Sequence, residues 1–196
     1  MTPHNAPTES TESTRQGARI VGLSGNLARP SRTRTLVSAV LDSAAARGLG
    51  STQMFDLVDA GPGLGQATDR SQADARLEAV LHAVQSADAL VVGTAVYKGA
   101  YTGLFKHFFD LYDMEALARK PVIVTATGAS PGHASVIDYH LRPLFLFFDA
   151  VVGTRGLYAV QQDFESPERL TEGFLRRVER SVDELQAMLH LPSDKS

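Results

Sequence analysis

The stretch Ala89-Leu-Val-Val-Gly-Thr-Ala-Val-Tyr-Lys-Gly-Ala-Tyr-Thr-Gly-Leu-Phe-Lys106 contains both parts of a strand-to-helix unit. Its apolar run Leu90–Val92 is typical of a fully buried strand, and a helix begins near Gly103 after a polar turn. In open α/β sheets, ligands bind outside the carboxyl ends of the strands. We therefore expect a small molecule at Thr94-Ala95-Val96-Tyr97-Lys98, where the tyrosine can cover a flat ring and the lysine can meet an anion. An ordinary connecting loop with a surface tyrosine is the alternative.

Composition restricts the class of protein. The chain has 196 residues, of which 43% are hydrophobic and 21% charged, as expected for one globular domain with a sizeable core. A formal net charge of -3 gives no electrostatic reason to expect binding to nucleic acid or to an anionic membrane. Cysteine is absent, which excludes disulfides, thiolate metal sites and a cysteine nucleophile.

The two ends of the sequence differ in composition from the rest. Residues 1–18 are rich in Thr, Ser, Pro and Glu and lack the apolar segment of a signal peptide, so they are predicted to form a flexible leader. Residues 192–196 are predicted to form a short tail, which leaves residues 19–191 as the domain. No apolar run is long enough to span a bilayer, and a cytoplasmic protein is the simplest expectation.

The loop after the first predicted strand, Arg19–Ser24, has the composition of a phosphate-binding loop. Residues 24–35 contain Gly, Pro, Asn, several hydroxyl residues and three arginines, and an apolar helical pattern follows from Leu36 to near Gly48. Backbone N–H groups at a helix N-terminus favour an anion, and hydroxyl groups add donors. In the alternative, Ser31 or Thr33 only caps the helix, but capping requires one such residue and the loop supplies several.

Strands and helices alternate along the whole chain. Further strands are predicted at Ser51–Val58, Lys120–Thr127 and Ala150–Val160, and further helices at Gln72–Ser86, from Gly103 to about Leu117, at Ala134–Phe148 and at Glu168–Leu191. Such alternation favours an α/β fold: a flavodoxin-like three-layer sandwich with a five-stranded parallel sheet of order 2-1-3-4-5 and helices on both faces. A flavin mononucleotide (FMN) can bind at the switch point between strands 1 and 3 of this fold.

One predicted helix contains a proline in its interior. Pro143 lies within Ala134–Phe148, where it removes a hydrogen bond and clashes with the preceding turn. The helix should therefore be kinked or contain an irregular turn, and turns of the π type favour functional sites. Tyr139, His140 and Arg142 lie just before the break.

Several other functions of this fold are excluded by missing residues. A receiver domain needs acidic residues at the end of strand 1, where the chain has Leu23-Ser24-Gly25, and a low-molecular-weight phosphatase needs a cysteine. Neither a G-x-S-x-G elbow nor a G-x-G-x-x-G fingerprint is present. His107 and Asp110 share one helix face but have no third ligand nearby, so no metal site is predicted. A flavin site remains compatible with the two candidate loops, which follow the first and third predicted strands.

Four segments together resemble the NAD(P)H-dependent FMN reductases of the flavodoxin-like superfamily, particularly those serving two-component alkanesulfonate monooxygenases. The segments are Gly25-Asn26 with Pro30-Ser31-Arg32-Thr33, Thr94 to Gly103, Ala126-Thr127-Gly128, and His133 with Asp138 to Pro143. The resemblance extends over residues 19–191, and the segment from Thr94 to Gly103 is its most specific part.

The resemblance implies roles for individual residues. It assigns the FMN phosphate to Asn26, Ser31, Arg32 and Thr33. It assigns the isoalloxazine ring to Thr94, Ala95, Val96, Tyr97, Lys98, Thr127, Gly128 and Ala129. Tyr139 falls on an inserted π-helix position at the family's tetramer interface, which makes it a candidate for controlling flavin binding and release; an ordinary interface or core tyrosine is the alternative. The chain departs from the family pattern at Ala129, where a glycine is usual, and at His140, where a small residue is usual.

The resemblance also implies an activity. It is hydride transfer from NADPH or NADH to N5 of FMN, with reduced FMN passing to an FMNH2-dependent monooxygenase, in a homo-oligomer that is a tetramer or a dimer. Two alternatives stay open: an enzyme that keeps FMN bound and reduces a quinone or azo compound, and a non-catalytic FMN electron carrier. The modest net charge argues against the carrier, because carriers usually dock through a strongly charged face.

Overall fold

The structure is a computed structural model that describes residues 17–190. Its first strand begins at Ala18, one residue before the predicted start of the domain. Most of the predicted leader (residues 1–18) and the whole predicted tail (residues 192–196) lie outside the described residues. Both assignments therefore stay predictions.

A parallel sheet forms the centre of the domain. Its strands are β1 (Ala18–Ser24), β2 (Gly50–Asp56), β3 (Ala89–Ala95), β4 (Pro121–Thr127), β5 (Val151–Val152) and β6 (Leu157–Ala159). All their pairings are parallel in the order β2-β1-β3-β4-β5, and β6 pairs with the last residues of β4. The predicted order is confirmed, and it places the carboxyl ends of β1 and β3 side by side.

Helices cover both faces of the sheet because successive side chains of a buried strand point to opposite sides. In β3, Leu90 and Val92 belong to one hydrophobic cluster, whereas Ala89 and Val91 belong to the other. The second cluster includes α1 (Arg32–Ala46) and the closing helix (Glu172–Leu189). The first cluster includes α2 (Leu57–Ala60), α3 (Ala75–Gln85), α4 (Gly103–Asp110) and α5 (Arg142–Leu146). Within residues 17–190, every helix is too short or too polar to cross a membrane.

An irregular turn precedes α5, as the position of Pro143 predicted. Residues Ile137–Leu141 form a π-helix that runs directly into α5. Proline has no N–H to donate to the carbonyl four residues earlier, which is that of Tyr139, so a regular helix cannot continue here. The irregular turn is confirmed, but the continuous helix predicted for Ala134–Phe148 is wrong, because Pro131–His133 form a separate 3-10 turn and α5 ends at Leu146.

The prediction of one strand over Ala150–Val160 is wrong, because the chain leaves the sheet between β5 and β6. Arg142 donates hydrogen bonds to the carbonyls of Gly153 (2.7 Å) and Thr154 (3.1 Å). Glu184 accepts from the backbone N–H groups of Thr154 (2.6 Å) and Arg155 (2.9 Å). Side chains thus take the hydrogen bonds that a continuous strand would make, and the chain rejoins the carboxyl end of β4 at β6.

The predicted closing helix also begins too early. A short antiparallel hairpin pairs β7 (Phe164–Ser166) with β8 (Arg169–Leu170), and β8 occupies the predicted first turn of the helix. The helix that follows, α6, begins at Glu172 because Thr171 caps it by accepting from the N–H of Phe174 (3.3 Å).

Other boundaries differ by smaller amounts. The helix after β3 ends at Asp110 rather than near Leu117, and α3 begins after its cap, Asp74. Strand β2 ends at Asp56 rather than Val58, because the Asp56 carboxylate caps α2.

Candidate functional site

A cavity of about 690 Å³ opens at the carboxyl ends of the central strands. Its size is typical of small-molecule sites, which span about 300–1,000 Å³. The loops after β1, β3 and β4 and the segment after β6 contribute its walls. The lining residues are Gly25, Asn26, Leu27, Ala28, Pro30, Ser31, Arg32, Thr33, Ala95, Val96, Tyr97, Thr102, Thr127, Gly128, Ala129, Ala159, Val160, Gln161, Phe164 and Pro167.

Most residues predicted to bind flavin line this one cavity. They are Asn26, Ser31, Arg32, Thr33, Ala95, Val96, Tyr97, Thr127, Gly128 and Ala129. Thr94 and Lys98, predicted with them, do not line it. The structure therefore brings the two predicted loops together, while the binding role of each residue stays a prediction.

The start of α1 faces the cavity. The Ser31 hydroxyl caps the helix by accepting from the N–H of Arg34 (3.4 Å), so the capping alternative is realised at a residue that also lines the cavity. The hydroxyl oxygens of Thr33 and Thr127 lie 2.6 Å apart, and this hydrogen bond joins α1 to the end of β4. Since a helix N-terminus favours negative charge, this end of the cavity suits a phosphate.

The three arginines of the loop after β1 have different environments. Arg29 and Arg34 form ion pairs with the buried carboxylate of Asp56, and Arg29 also pairs with Asp59. Burial would raise the pKa of Asp56, but hydrogen bonds from Arg29 and Asn26 and the charge of Arg34 hold that pKa below its ordinary value. Within this loop, Arg32 is therefore the arginine that lines the cavity.

The loop after β3 makes a tight turn at its tip. Tyr97 and Ala100 exchange backbone hydrogen bonds of 3.0 and 3.3 Å, and Lys98 (φ 55°) and Gly99 (φ 84°) adopt left-handed backbone. The turn carries Lys98 away from the cavity lining, while Tyr97 stays at the cavity with 67% of its surface exposed. Thr94 is fully buried. Its hydroxyl accepts from the N–H of Thr102 (3.3 Å), and this hydrogen bond holds the base of the loop.

The loop after β4 brings backbone directly to the cavity. A Cβ atom on Gly128 would lie 2.0 Å from the Tyr158 hydroxyl oxygen, so a side chain at this position requires a shift. The Tyr158 hydroxyl donates to the carbonyl of Ser130 (2.7 Å), and burial raises its pKa. The N–H of Gly128 donates to the carbonyl of Ala159 (3.0 Å), which fixes the loop against β6.

A fourth wall was not predicted from the sequence. It consists of the last residue of β6, Ala159, and of residues that follow β6 or belong to the hairpin: Val160, Gln161, Phe164 and Pro167. The carbonyl of Pro167 accepts from the hydroxyl of Thr35 on α1 (2.9 Å), and the Arg32 guanidinium lies 5.8 Å from the centre of the Phe164 ring. The rule that ligands lie beyond the carboxyl ends of strands would have identified Gln161, which directly follows the predicted fifth strand.

Two buried polar atoms of lining residues have no hydrogen-bond partner among residues 17–190. They are the Oδ1 atom of Asn26 and the Oγ1 atom of Thr102. The Asn26 amide nitrogen donates to the Asp56 carboxylate (3.1 Å) and to the carbonyl of Ala28 (3.0 Å), so its oxygen is left as an acceptor. Buried polar atoms without hydrogen-bond partners are rare in folded proteins, and the hydroxyl groups of a bound molecule can supply the missing partners.

Tyr139 lies outside the cavity, on the π-helix. Its side chain is 78% exposed, and Leu146 and Phe147 on and after α5 are 52% and 64% exposed. His140 packs its ring edge against Tyr101, with 5.9 Å between ring centres. The three exposed apolar residues Tyr139, Leu146 and Phe147 are called the π-helix face below.

The pair considered as a metal site has other partners. The Nε2 atom of His107 hydrogen-bonds with the carbonyl of Ala67 (2.8 Å), and Asp110 forms an ion pair with Lys106. Across the described part of the chain, no group of three or more His, Cys, Asp or Glu side chains is placed to hold a metal ion.

Comparisons with known proteins identify relatives along most of the chain. A family described as NADPH-dependent FMN reductase matches residues 18–165. An FMN reductase (NADPH) of Pseudomonas aeruginosa is 39% identical over 165 residues, which cover 84% of this chain and 89% of that protein. An NADH-dependent FMN reductase, SfnF, of Pseudomonas fluorescens is 41% identical over 165 residues, covering 84% of this chain and 88% of that protein.

Solved structures agree with these relatives. An oxidoreductase from Corynebacterium diphtheriae superposes with a TM-score of 0.76 at 36% identity, covering 89% of this chain and 97% of that one. The apo form of an NADH:FMN oxidoreductase (EMOB) superposes with a TM-score of 0.77 at 28% identity, covering 90% of this chain and 92% of that one. An archaeal flavodoxin shares the fold, with a TM-score of 0.62 at 13% identity over 88% of this chain and 99% of that one.

Proposed function

The chain belongs to the NADPH-dependent FMN reductase family and is an NAD(P)H-dependent FMN reductase, and we propose that its flavin is a substrate that leaves after reduction. The observation that supports release is the position of Tyr97, which borders the ring end of the cavity and is 67% exposed. An open ring end gives the nicotinamide access to the flavin and lets the flavin leave.

The residues of the cavity suit FMN. The phosphate would be held at the start of α1, where Ser31, Arg32 and Thr33 combine a helix N-terminus, hydroxyl groups and one guanidinium. The ring would lie against the loops at Val96 and Gly128, both of which line the cavity. The unpartnered acceptor at Asn26 suits a hydroxyl donor better than the phosphate that the family resemblance implies for it, because a phosphate dianion has no proton to donate.

The protein's part in the reaction is positioning. Bound FMN supplies an electron-accepting ring whose N5 takes a hydride from the reduced nicotinamide. The cavity residues hold the phosphate at one end and leave the ring open at the other, so that two flat rings can stack at the Tyr97 end. Because the hydride carries both electrons, the chain needs no side-chain acid or base for this step.

The chemistry of reduced FMN indicates which kind of enzyme would use it. Free reduced FMN reacts with oxygen, so an enzyme that releases it needs a nearby acceptor, and we propose an FMNH2-dependent monooxygenase in a two-component system. Because the reaction consumes NADPH or NADH, we place the protein in the cytoplasm.

We also propose that the protein is a homo-oligomer assembled through the π-helix face. Three large apolar side chains that are near one another in the sequence are each more than half exposed in the single chain: Tyr139, Leu146 and Phe147. Such exposure marks a contact surface. Tyr139 does not line the cavity of its own chain, and we propose that it influences flavin binding and release across a subunit contact.

Release can be tested directly by filtration. FMN equimolar with the protein is reduced anaerobically with excess NADPH or NADH, and the mixture is passed through a membrane that retains the protein. At micromolar concentrations we expect most of the reduced flavin in the filtrate. Retention of the flavin with the protein would contradict release and favour an enzyme with bound flavin.

A further inference from the structure

Asp56 is at the centre of the densest hydrogen-bond cluster near the cavity, although it does not line the cavity. Its side chain has no exposed surface. The Nε and Nη2 atoms of Arg29 donate to the two carboxylate oxygens at 2.7 Å each, and Arg34 donates at 2.8 Å. The amide nitrogen of Asn26 donates at 3.1 Å.

All these side-chain donors come from the loop of residues 26–34, which includes the first residues of α1 and contains the predicted phosphate site. Asn26, Arg29 and Arg34 lie before, within and after the turn that presents Ser31–Thr33 to the cavity. Asp56 itself is fixed independently, because it ends β2 and accepts from the N–H groups of Val58 (3.0 Å) and Asp59 (3.2 Å). One rigid carboxylate on a neighbouring strand therefore holds the loop at three positions.

We propose that Asp56 is a positioning residue for flavin phosphate recognition: it holds the loop of residues 26–34 in the shape that directs Ser31, Arg32 and Thr33 at the phosphate. The inference rests on the proposed function, in which this loop receives the phosphate of FMN. Asp56 is fully buried and does not line the cavity, so it acts through the loop. No sequence motif connects it to the site.

The substitution Asp56→Asn separates two possible effects of Asp56 on phosphate affinity, one through its charge and one through positioning of the loop. Asp56→Asn removes a negative charge near an anion site and weakens the ion pairing of Arg29 and Arg34, so charge alone predicts tighter binding of the phosphate. Loss of the bidentate arginine pair also loosens the loop, so positioning predicts weaker binding. The direction of the change therefore separates the two explanations.

FMN and riboflavin provide the measurement, because they share the ring and differ in the phosphate. Dissociation constants for both are obtained from the quenching of flavin fluorescence, and their ratio measures phosphate recognition. In Asp56→Asn we expect the preference for FMN over riboflavin to fall about tenfold while riboflavin affinity changes little, as for loss of one well-placed charge-assisted contact. Glu78→Gln is the matched control, because Glu78 also forms a bidentate pair with an arginine (Arg70, 3.0 and 2.7 Å) and neither residue lines the cavity, and its preference should equal that of the parent.

A second variant keeps the test decisive if Asp56→Asn does not fold. Arg29→Lys preserves the charge but loses the planar fork, and we expect a fall of about threefold in the preference for FMN. An unchanged or increased preference in the folded Asp56→Asn protein, or an unchanged preference in Arg29→Lys if the first variant is unfolded, overturns the inference. A parent protein that binds FMN and riboflavin equally would instead overturn the proposed phosphate role of the loop.

Discussion

Gly128 lines the cavity at a point where Tyr158 leaves no room for a side chain. A Cβ atom at residue 128 would lie 2.0 Å from the Tyr158 hydroxyl oxygen, which is itself held by the carbonyl of Ser130 at 2.7 Å. Neither partner can move freely, because the hydroxyl hydrogen bond and the Gly128 N–H bond to Ala159 fix both sides. A glycine is therefore required here by packing rather than by backbone conformation.

Substitution Gly128→Ala tests this contact. We expect a loss of about 1–3 kcal/mol in the free energy of unfolding, as for other overpacked sites, together with a higher KM for FMN. Denaturant unfolding and steady-state kinetics measure the two effects. Gly132→Ala is the control, because the nearest atom to its added Cβ is 3.6 Å away. If Gly128→Ala matched this control in both measurements, the close contact would have no effect on the site.

The identity of the arginine that faces the cavity shows what local sequence can and cannot predict. The composition of the loop predicted a phosphate site, and Arg32 does line the cavity. Nothing local shows that Arg29 and Arg34 bind Asp56, which lies 27 and 22 residues further along the chain. That pairing depends on β1 and β2 being neighbours in the sheet, so it follows only from the tertiary structure.

At the level of elements, the π-helix was predictable from the sequence, whereas the exposed apolar surface that it forms with α5 was not. A proline inside an apolar helical pattern was enough to predict a break, because the lost hydrogen bond is a local effect. The exposure of Tyr139, Leu146 and Phe147 required the structure, since the spacing alone does not show which apolar side chains reach the core.

Phe147→Asp tests the π-helix face as a subunit contact. A charge in a buried apolar contact is unfavourable, so we expect the variant to sediment as a smaller species than the parent in analytical ultracentrifugation. Leu175→Asp places the same charge on α6, in the opposite helical layer, at a side chain that is 40% exposed, and should keep the parent's assembly. Equal sedimentation of parent and Phe147→Asp would exclude this face as the contact.

The hairpin of β7 and β8 is the element that the sequence did not predict. Its strands have three and two residues, too few to produce a periodic pattern, and the neighbouring helical pattern of α6 was therefore extended over the second strand. The fifth strand was misjudged for a related reason, since side chains of Arg142 and Glu184 from distant elements interrupt it.

For the whole molecule, the fold was predictable because the strand and helix patterns along the sequence all favour the same architecture. Continuous apolar strands alternate with amphipathic helices, and this pattern permits few arrangements other than a doubly wound parallel sheet. The sheet order then places the loops after β1 and β3 together. The cavity follows from the topology, whereas its fourth wall, after β6, depends on the irregular course of the chain between β5 and β6.

The central claim is that the protein transfers a hydride from a reduced nicotinamide to FMN that exchanges freely with solution. The most direct measurement is the oxidation of NADPH and NADH by the purified protein, with and without added FMN, alongside its visible spectrum. We expect a nearly colourless protein that oxidises the nicotinamide only when FMN is added. A yellow protein that bleaches with NADPH or NADH but does not reduce added FMN would contradict the claim.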